Sequence, residues 1–375
     1  MKSTTFRSAV GAALTAALAA VALPASAASA AAPAGTVDGA TATSFGRIAD
    51  AVLTQRTAAL LDHQNRSARR LAPLADKNVR LSAGQTRTEE SALSSLRGRK
   101  TRLAALGEAY TGADTRVAVD KIRVKGGQAT VQATETTTLT YKKIRGDEPR
   151  TTGFQAHHEL KFAASANGKW QLIGIRSTDD GPMAVNEPGK AAVARTTAAP
   201  TATPAATSRP SQQQQKPAGA YDYKAMAAYA EKYWSNYNPA YRKFNDAGGD
   251  CTNFVSQAMK AGGWANKGGV YDDYRNWWYD SSYQSTSWVG ANEWSWFTLD
   301  SKRAANLSNV YYLGVGDVLQ MDFDKDGSKD HTMIVTYRSS SGVPYLTYHS
   351  VNTYRKSVAS IIASYPNSLY YAYRT

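Results

Sequence analysis

Between Gly189 and Ala220 the chain has no means of building a core. The stretch holds Ala-Ala-Pro-Thr-Ala-Thr-Pro-Ala-Ala-Thr, then glutamines from Gln212 to Gln215, then Pro217. Proline and small residues of low hydrophobicity offer too little apolar surface to offset the entropy of ordering, so the stretch reads as a semi-extended linker. A chain of 375 residues divided there leaves a folded region on each side.

The two sides differ in composition. Of 22 tyrosines 20 lie beyond residue 218, as do seven of the eight tryptophans. Beyond that point Lys and Arg number 15 against 14 Asp and Glu, a net +1; before it they number 29 against 16, a net +13. The whole-chain charge of +14 therefore belongs to the N-terminal half. It would bring the protein to an anionic surface; nucleic acid, which the charge alone would allow, is not the expected partner.

Residues 1–30 read as a signal peptide. Lys2 and Arg7 form a basic start, Ala9 to Leu23 is an uncharged apolar run, and Ala-Ser-Ala triplets suit cleavage after Ala27 or Ala30. The run is short for a spanning helix of ~20 residues, and no later segment is long enough. The expected product is a secreted protein without a transmembrane segment.

Residues 44–188 read as an α+β domain of unassigned role. Ile48, Val52, Ala59 and Leu60 recur near helical spacing, and a second helix surrounds Leu93 to Leu106. Strands follow at 117–124, 129–141, 153–163 and 169–175, with turns at Gly126-Gly127 and Asn167-Gly168. His157 and His158 are adjacent, so on a strand they point to opposite faces and do not make a metal pair.

Residues 221–375 form the second domain, also α+β. An amphipathic helix over 221–234 ends before Asn238-Pro239. Next, Gly248-Gly249 permits a sharp turn, Asp250 can cap, and Phe254, Val255, Ala258 and Met259 make one apolar stripe. Cys251, the single cysteine, falls in the first turn of that helix. One cysteine excludes an intramolecular disulfide and a cysteine zinc knot. In the first turn, free N–H groups and the helix dipole favour the thiolate, the reactive form. A cysteine used as a small hydrophobe would belong in the stripe instead.

A thiolate nucleophile needs a base, and this domain has two histidines. His331 opens the strand His-Thr-Met-Ile-Val-Thr-Tyr-Arg, 339–342 turns, and His349 lies on the return strand. With symmetric pairing about Ser341 the two histidines share a face, giving His331 as base and His349 as the residue that orients it. A bulge would shift the register and favour Asn352 or Ser350 in that third role.

Gly-Gly-Asp-Cys-Thr-Asn-Phe-Val-Ser-Gln-Ala at 248–258, Gly316-Asp317-Val-Leu-Gln-Met-Asp, and Asp330-His-Thr-Met-Ile-Val-Thr resemble the secreted bacterial "putative amidase domain" family, related to NlpC-type and CHAP-type cell-wall hydrolases. The resemblance covers about residues 219–375. It implies a papain-like cysteine peptidase or amidase fold, with an N-terminal helix, a catalytic helix and an antiparallel sheet. It implies Cys251 and His331 as the dyad, and His349 in the third polar position. It also implies Tyr241 as counterpart of a tyrosine near the cysteine, and peptide or peptidoglycan as substrate. In that mechanism the thiolate attacks an amide carbonyl. The oxyanion is met by the Cys251 N–H and a second donor, Tyr241 or Gln257. No cofactor is required.

Asp322, Asp324, Asp326 and Asp330, with Gly327 at a turn, match the start of a calcium loop. Met333 stands where the bidentate carboxylate of a full EF-hand would be. A truncated structural calcium site and a plain polar turn remain as alternatives. The cluster from Tyr271 to Trp296 reads mostly as core, with a sugar- or peptide-binding groove as the alternative. Two other functions carry the same residues: an inactive papain-like module that binds the wall, and a transglutaminase-like acyltransferase.

Overall fold

A computed structural model describes residues 37–62, 75, 79–165, 167–188, 202–214, 219–247 and 249–375. The expected signal peptide, Gly248 and much of the linker lie outside the described residues.

The N-terminal region opens with α1 (Gly39–Ala58), capped by the Asp38 carboxylate accepting from the Thr41 N–H at 2.8 Å. The short β1 (Val79–Leu81) precedes α2 (Ala83–Ala105), capped by the Ser82 hydroxyl. Four long strands follow: β2 (Tyr110–Lys125), β3 (Gln128–Tyr141), β4 (Thr151–Ala164) and β5 (Trp170–Ser177). In β3 and β4 every second residue is buried, as period-two patterning requires. Phe45, Ile48 and Val52 of α1 pack on Val131, Leu160 and Phe162 of that face.

The C-terminal region contains α3 (Tyr223–Tyr233), α4 (Cys251–Ala261), α5 (Thr286–Val289), α6 (Ala291–Asp300), β6 (Ala305–Leu307) and β7 (Val318–Asp322). It continues through β8 (His331–Arg338), β9 (Pro344–Tyr348), β10 (Asn352–Ser357), α7 (Val358–Ser364) and β11 (Leu369–Arg374). The fold is thus mixed α+β, with seven α-helices among the described residues.

The strands of both regions share one mixed sheet, with order β1-β5-β4-β10-β9-β8-β7-β11-β6, and β3 and β2 added beside β4. The join lies on one edge of β4. That edge holds β5 along 158–164 and β10 through Gln155↔Asn352, Phe154↔Thr353 and Gly153↔Tyr354. Around the join Leu96, Leu103, Leu139 and Phe154 pack against Val343, Tyr345, Val351 and Ala363. The Tyr110 and Ser360 hydroxyls meet at 2.7 Å, and the Ser357 hydroxyl donates to Glu108. The described residues from Val37 to Thr375 belong to one compact unit. Part of the expected linker is laid against the C-terminal region: Ala206 bridges Asn309, and Ala202 and Ala205 are buried.

Of the nine aromatics in the 271–296 cluster, Trp277, Trp288 and Trp294 are fully buried. They pack with Trp264, Phe254 and Phe297 under α4 and α6. Tyr271 and Tyr283 are exposed, and the rest are half-buried, so the expectation of a mostly buried cluster was too strong. Among the described residues no helix is long and apolar enough to cross a membrane.

The helical pair of the N-terminal region is locked by charge. Arg56 of α1 donates through Nε and Nη2 to Glu89 of α2 at 2.8 and 2.7 Å, and Gln85 donates to the same carboxylate. All three are buried. Glu89→Ala leaves a buried guanidinium uncompensated and is expected to destabilise by about 3–5 kcal/mol, read by urea unfolding. An unchanged midpoint would contradict this.

Candidate functional site

The site is built where α4 meets the start of β8. Gly249, with φ +104°, turns the chain into the helix. Asp250 precedes it, fully buried, but its side chain does not cap α4 as expected. Oδ1 accepts from the Phe244 N–H and from Asn253 Nδ2, both at 2.9 Å. Oδ2 lies 2.7 Å from His349 Nδ1. Asp250 thus ties the preceding loop, the helix and β9's end together.

Cys251 is the first residue of α4, as expected, and is buried. Its Sγ lies 3.8 Å from Thr252 Oγ1. Burial pushes the thiol pKa up; the Thr332 N–H and the Thr252 hydroxyl pull it down but do not prevail. Dehydration of the charge thus works against the thiolate that the first turn of the helix is expected to favour. A buried hydroxyl chain lies behind the sulfur. Thr252 and Thr332 Oγ1 atoms are 2.9 Å apart, and Gln320 Nε2 donates to Thr332 at 3.0 Å. Gln320 Oε1 is buried without a partner. Sequence patterning missed this chain, since threonine and glutamine on strands carry no chemical signature.

His331 opens β8, fully buried. Burial, reinforced by the Lys356 ammonium, pushes its pKa down to about 3. Neither ring nitrogen has a hydrogen-bond partner, so no bond joins it to Cys251. The ring packs edge-on against Tyr348 at 5.1 Å. It shares strand parity with Met333 and Val335, while Thr332 and Ile334 turn toward α4.

His349 does not orient His331. Its Nε2 lies 2.9 Å from the Tyr233 carbonyl, and its ring is sandwiched by Phe254 and Tyr237 at 3.9 and 4.1 Å. Both nitrogens face acceptors, so both bonds form together only when the ring carries both protons. The cause of the misplacement is a bulge. Arg338↔Pro344 and Tyr337↔Tyr345 pair as a symmetric hairpin requires, but past Thr336 the register becomes Val335↔Leu346 and Ile334↔Thr347. Continued, that register sets Ser350 opposite His331 and His349 opposite Thr332. One residue of slip moves His349 to the other face.

Asn352, the alternative third residue, accepts from the Tyr237 hydroxyl at 3.1 Å and sits in the pairing of β10 with β4. Tyr241 is half-buried, with its ring against Tyr279 and Trp288. Gln257 accepts from the Tyr229 hydroxyl at 2.7 Å. Six residues of helix carry it about 9 Å along the axis from Cys251.

In the aspartate loop, one carboxylate oxygen from each of Asp322, Asp324 and Asp330 lies within 4.8 Å of the others. Asp322 accepts from the Lys325 and Gly327 N–H groups, and Asp330 from the Phe323 N–H. Asp326 is not in this trio and accepts from the Ser328 N–H.

Residues 220–373 match the family described as "Putative amidase domain", which supports an amidase-like domain in this region. Two curated proteins of Bacillus subtilis (strain 168) are similar. Uncharacterized protein YhbB is 36% identical over 159 residues, 41% of this chain and 49% of the relative. Uncharacterized protein YjcM is 33% identical over 142 residues, 35% of this chain and 31% of the relative. The chain thus spans half or less of the length of these relatives. The crystal structure of the intermembrane space region of chloroplast protein ARC6 aligns at 16% identity, over 38% of this chain and 98% of that one. Its TM-score of 0.25 is too low to bear on the fold.

Asp250→Ala would orphan the Phe244 N–H and His349 Nδ1 and leave Asn253 Nδ2 with only the Arg242 carbonyl. The expected cost is about 3–5 kcal/mol, read by thermal unfolding, because several donors lose their buried acceptor at once. A surface position would cost roughly 0.5 kcal/mol or less.

Proposed function

We propose that residues 221–375 are a cysteine-dependent amide hydrolase of papain-like type, with Cys251 as nucleophile and His331 as base. The observation that carries the reading is the single cysteine at the first position of α4, against β8, within the region that matches the amidase family. In the reaction the thiol proton passes to His331 and the sulfur attacks an amide carbonyl. The oxyanion is met by the Cys251 N–H, the C–N bond breaks as His331 protonates the leaving amine, and water releases the acyl group. For this the His331 ring must turn toward the sulfur and gain a partner.

The signal-peptide pattern of residues 1–30 and the net +13 of the N-terminal half support an extracellular or cell-wall-associated site of action on cell-wall peptides. The aspartate trio supports a calcium ion bracing the loop that leads to His331. Its carboxylate donors fit a hard cation. A second reading, a catalytically inactive module, is favoured by the unpartnered His331 ring and the raised thiol pKa.

Purified wall digested by wild type, Cys251→Ala and His331→Ala, followed by mass spectrometry of released peptides, separates the two. The expected result is release by the wild type and at least ~100-fold less by either variant. Equal release by Cys251→Ala would sink the enzyme reading. Titration calorimetry should give calcium heat that Asp322→Asn removes; no heat with the wild type would leave the loop a polar turn.

A further inference from the structure

The N-terminal region lays a strap against Ser350 and His331. After β5, the Thr178 N–H still donates to the His157 carbonyl at 2.8 Å. Asp179 then takes the His157 N–H at 2.6 Å and lies 2.8 Å from its ring Nδ1. At Gly181 the chain leaves the sheet with φ +114°. It is fastened again where the Met183 N–H donates to the Tyr365 hydroxyl and Arg99 donates to the Ala184 carbonyl. Ala184 and Val185 are buried in the apolar join beside Val351. The path follows from the sheet. β5 and β10 lie end to end on the same edge of β4, so the chain leaving β5 crosses the turn that precedes β10.

That turn holds Ser350, whose hydroxyl accepts from the Asp250 N–H next to Cys251. Gly181 presses on it. A β-carbon at Gly181 would lie 2.8 Å from Ser350 Cβ and 3.4 Å from His331 Nδ1. Only glycine meets both the φ and the space. On the other side, a β-carbon at Gly249 would come 3.9 Å from the Asp180 side chain and carbonyl. A cavity of about 380 Å³ opens beside the strap, lined by His157, Asp179, Asp180, Asp246, Gly249 and Ser350; neither Cys251 nor His331 lines it.

We propose that the strap Asp179–Gly181 is an intramolecular cover that holds this chain in a latent form, with His331 shut away from both Cys251 and substrate until the strap lifts. The proposal rests on the reading of Cys251 as nucleophile and adds its regulation. Strap and site are one chain, so latency is set by a local opening equilibrium rather than by a dissociable inhibitor. The fasteners at both ends, the buried Ala184 and Val185 and the Asp179–His157 pair, set its cost.

The test is the rate at which iodoacetamide alkylates Cys251 in the full chain at neutral pH. Gly181→Val wedges the strap off Ser350, and Asp179→Ala removes its first fastener without touching Cys251 or His331. If the open form is populated at about 1–10% in the wild type, either variant should speed alkylation roughly tenfold or more, with circular dichroism unchanged. If Gly181→Val does not fold, Asp179→Ala alone carries the measurement. A folded variant alkylated at the wild-type rate, or a wild type alkylated as fast as a free thiol, overturns the cover. Faster alkylation without peptide release in the wall assay would leave the cover standing and remove the hydrolase reading.

Discussion

One edge of β4 holds the molecule together. Its upper half pairs β5 and its lower half pairs β10, so two regions that differ in charge and aromatic content become one sheet. A strand edge offers a fixed row of donors and acceptors, and filling it end to end leaves the incoming chains no freedom of position. The helix α7, the apolar join under Tyr110 and Tyr345, and the route of the chain after β5 all follow from that placement.

Dehydration is the leading influence on the titratable groups of the site. The thiol of Cys251 rises, His331 falls to about 3, and Lys356 beside it falls to about 7, each chiefly through burial. Groups that lose water in this way favour their neutral forms. A thiol and an imidazole that both favour the neutral form and are not bonded to each other are chemically quiet. Any opening that readmits water acts on both at once, and so links the sheet architecture to reactivity.

The aspartate loop and the Asp250–His349 contact show two ways in which short-range patterns compete. Asp322 and Gly327 make the tight turn their spacing suggested, with Gly327 at φ +90°. Asp250 stood where a helix cap belongs, yet it binds a histidine 99 positions away and leaves α4 without a side-chain cap. Three donors, the Phe244 N–H, Asn253 Nδ2 and His349 Nδ1, hold the carboxylate away from the helix end, where a cap is worth about 1 kcal/mol.

Helices α1, α3 and α4, the long strands β2 to β5, the β8–β9 hairpin and the position of Cys251 were legible in the residues, because hydrophobic period and turn chemistry are local properties; the short or late strands β1, β6, β7, β10 and β11 were not. The faces of His331 and His349 were not. They hinge on one bulged residue, Thr336, and nothing in its own chemistry distinguishes it from its neighbours. The joining of the two regions through β4 and β10 was equally invisible. Pairing between strands some 200 residues apart is selected by the fit of whole surfaces, and such long-range pairing leaves no mark in either strand alone.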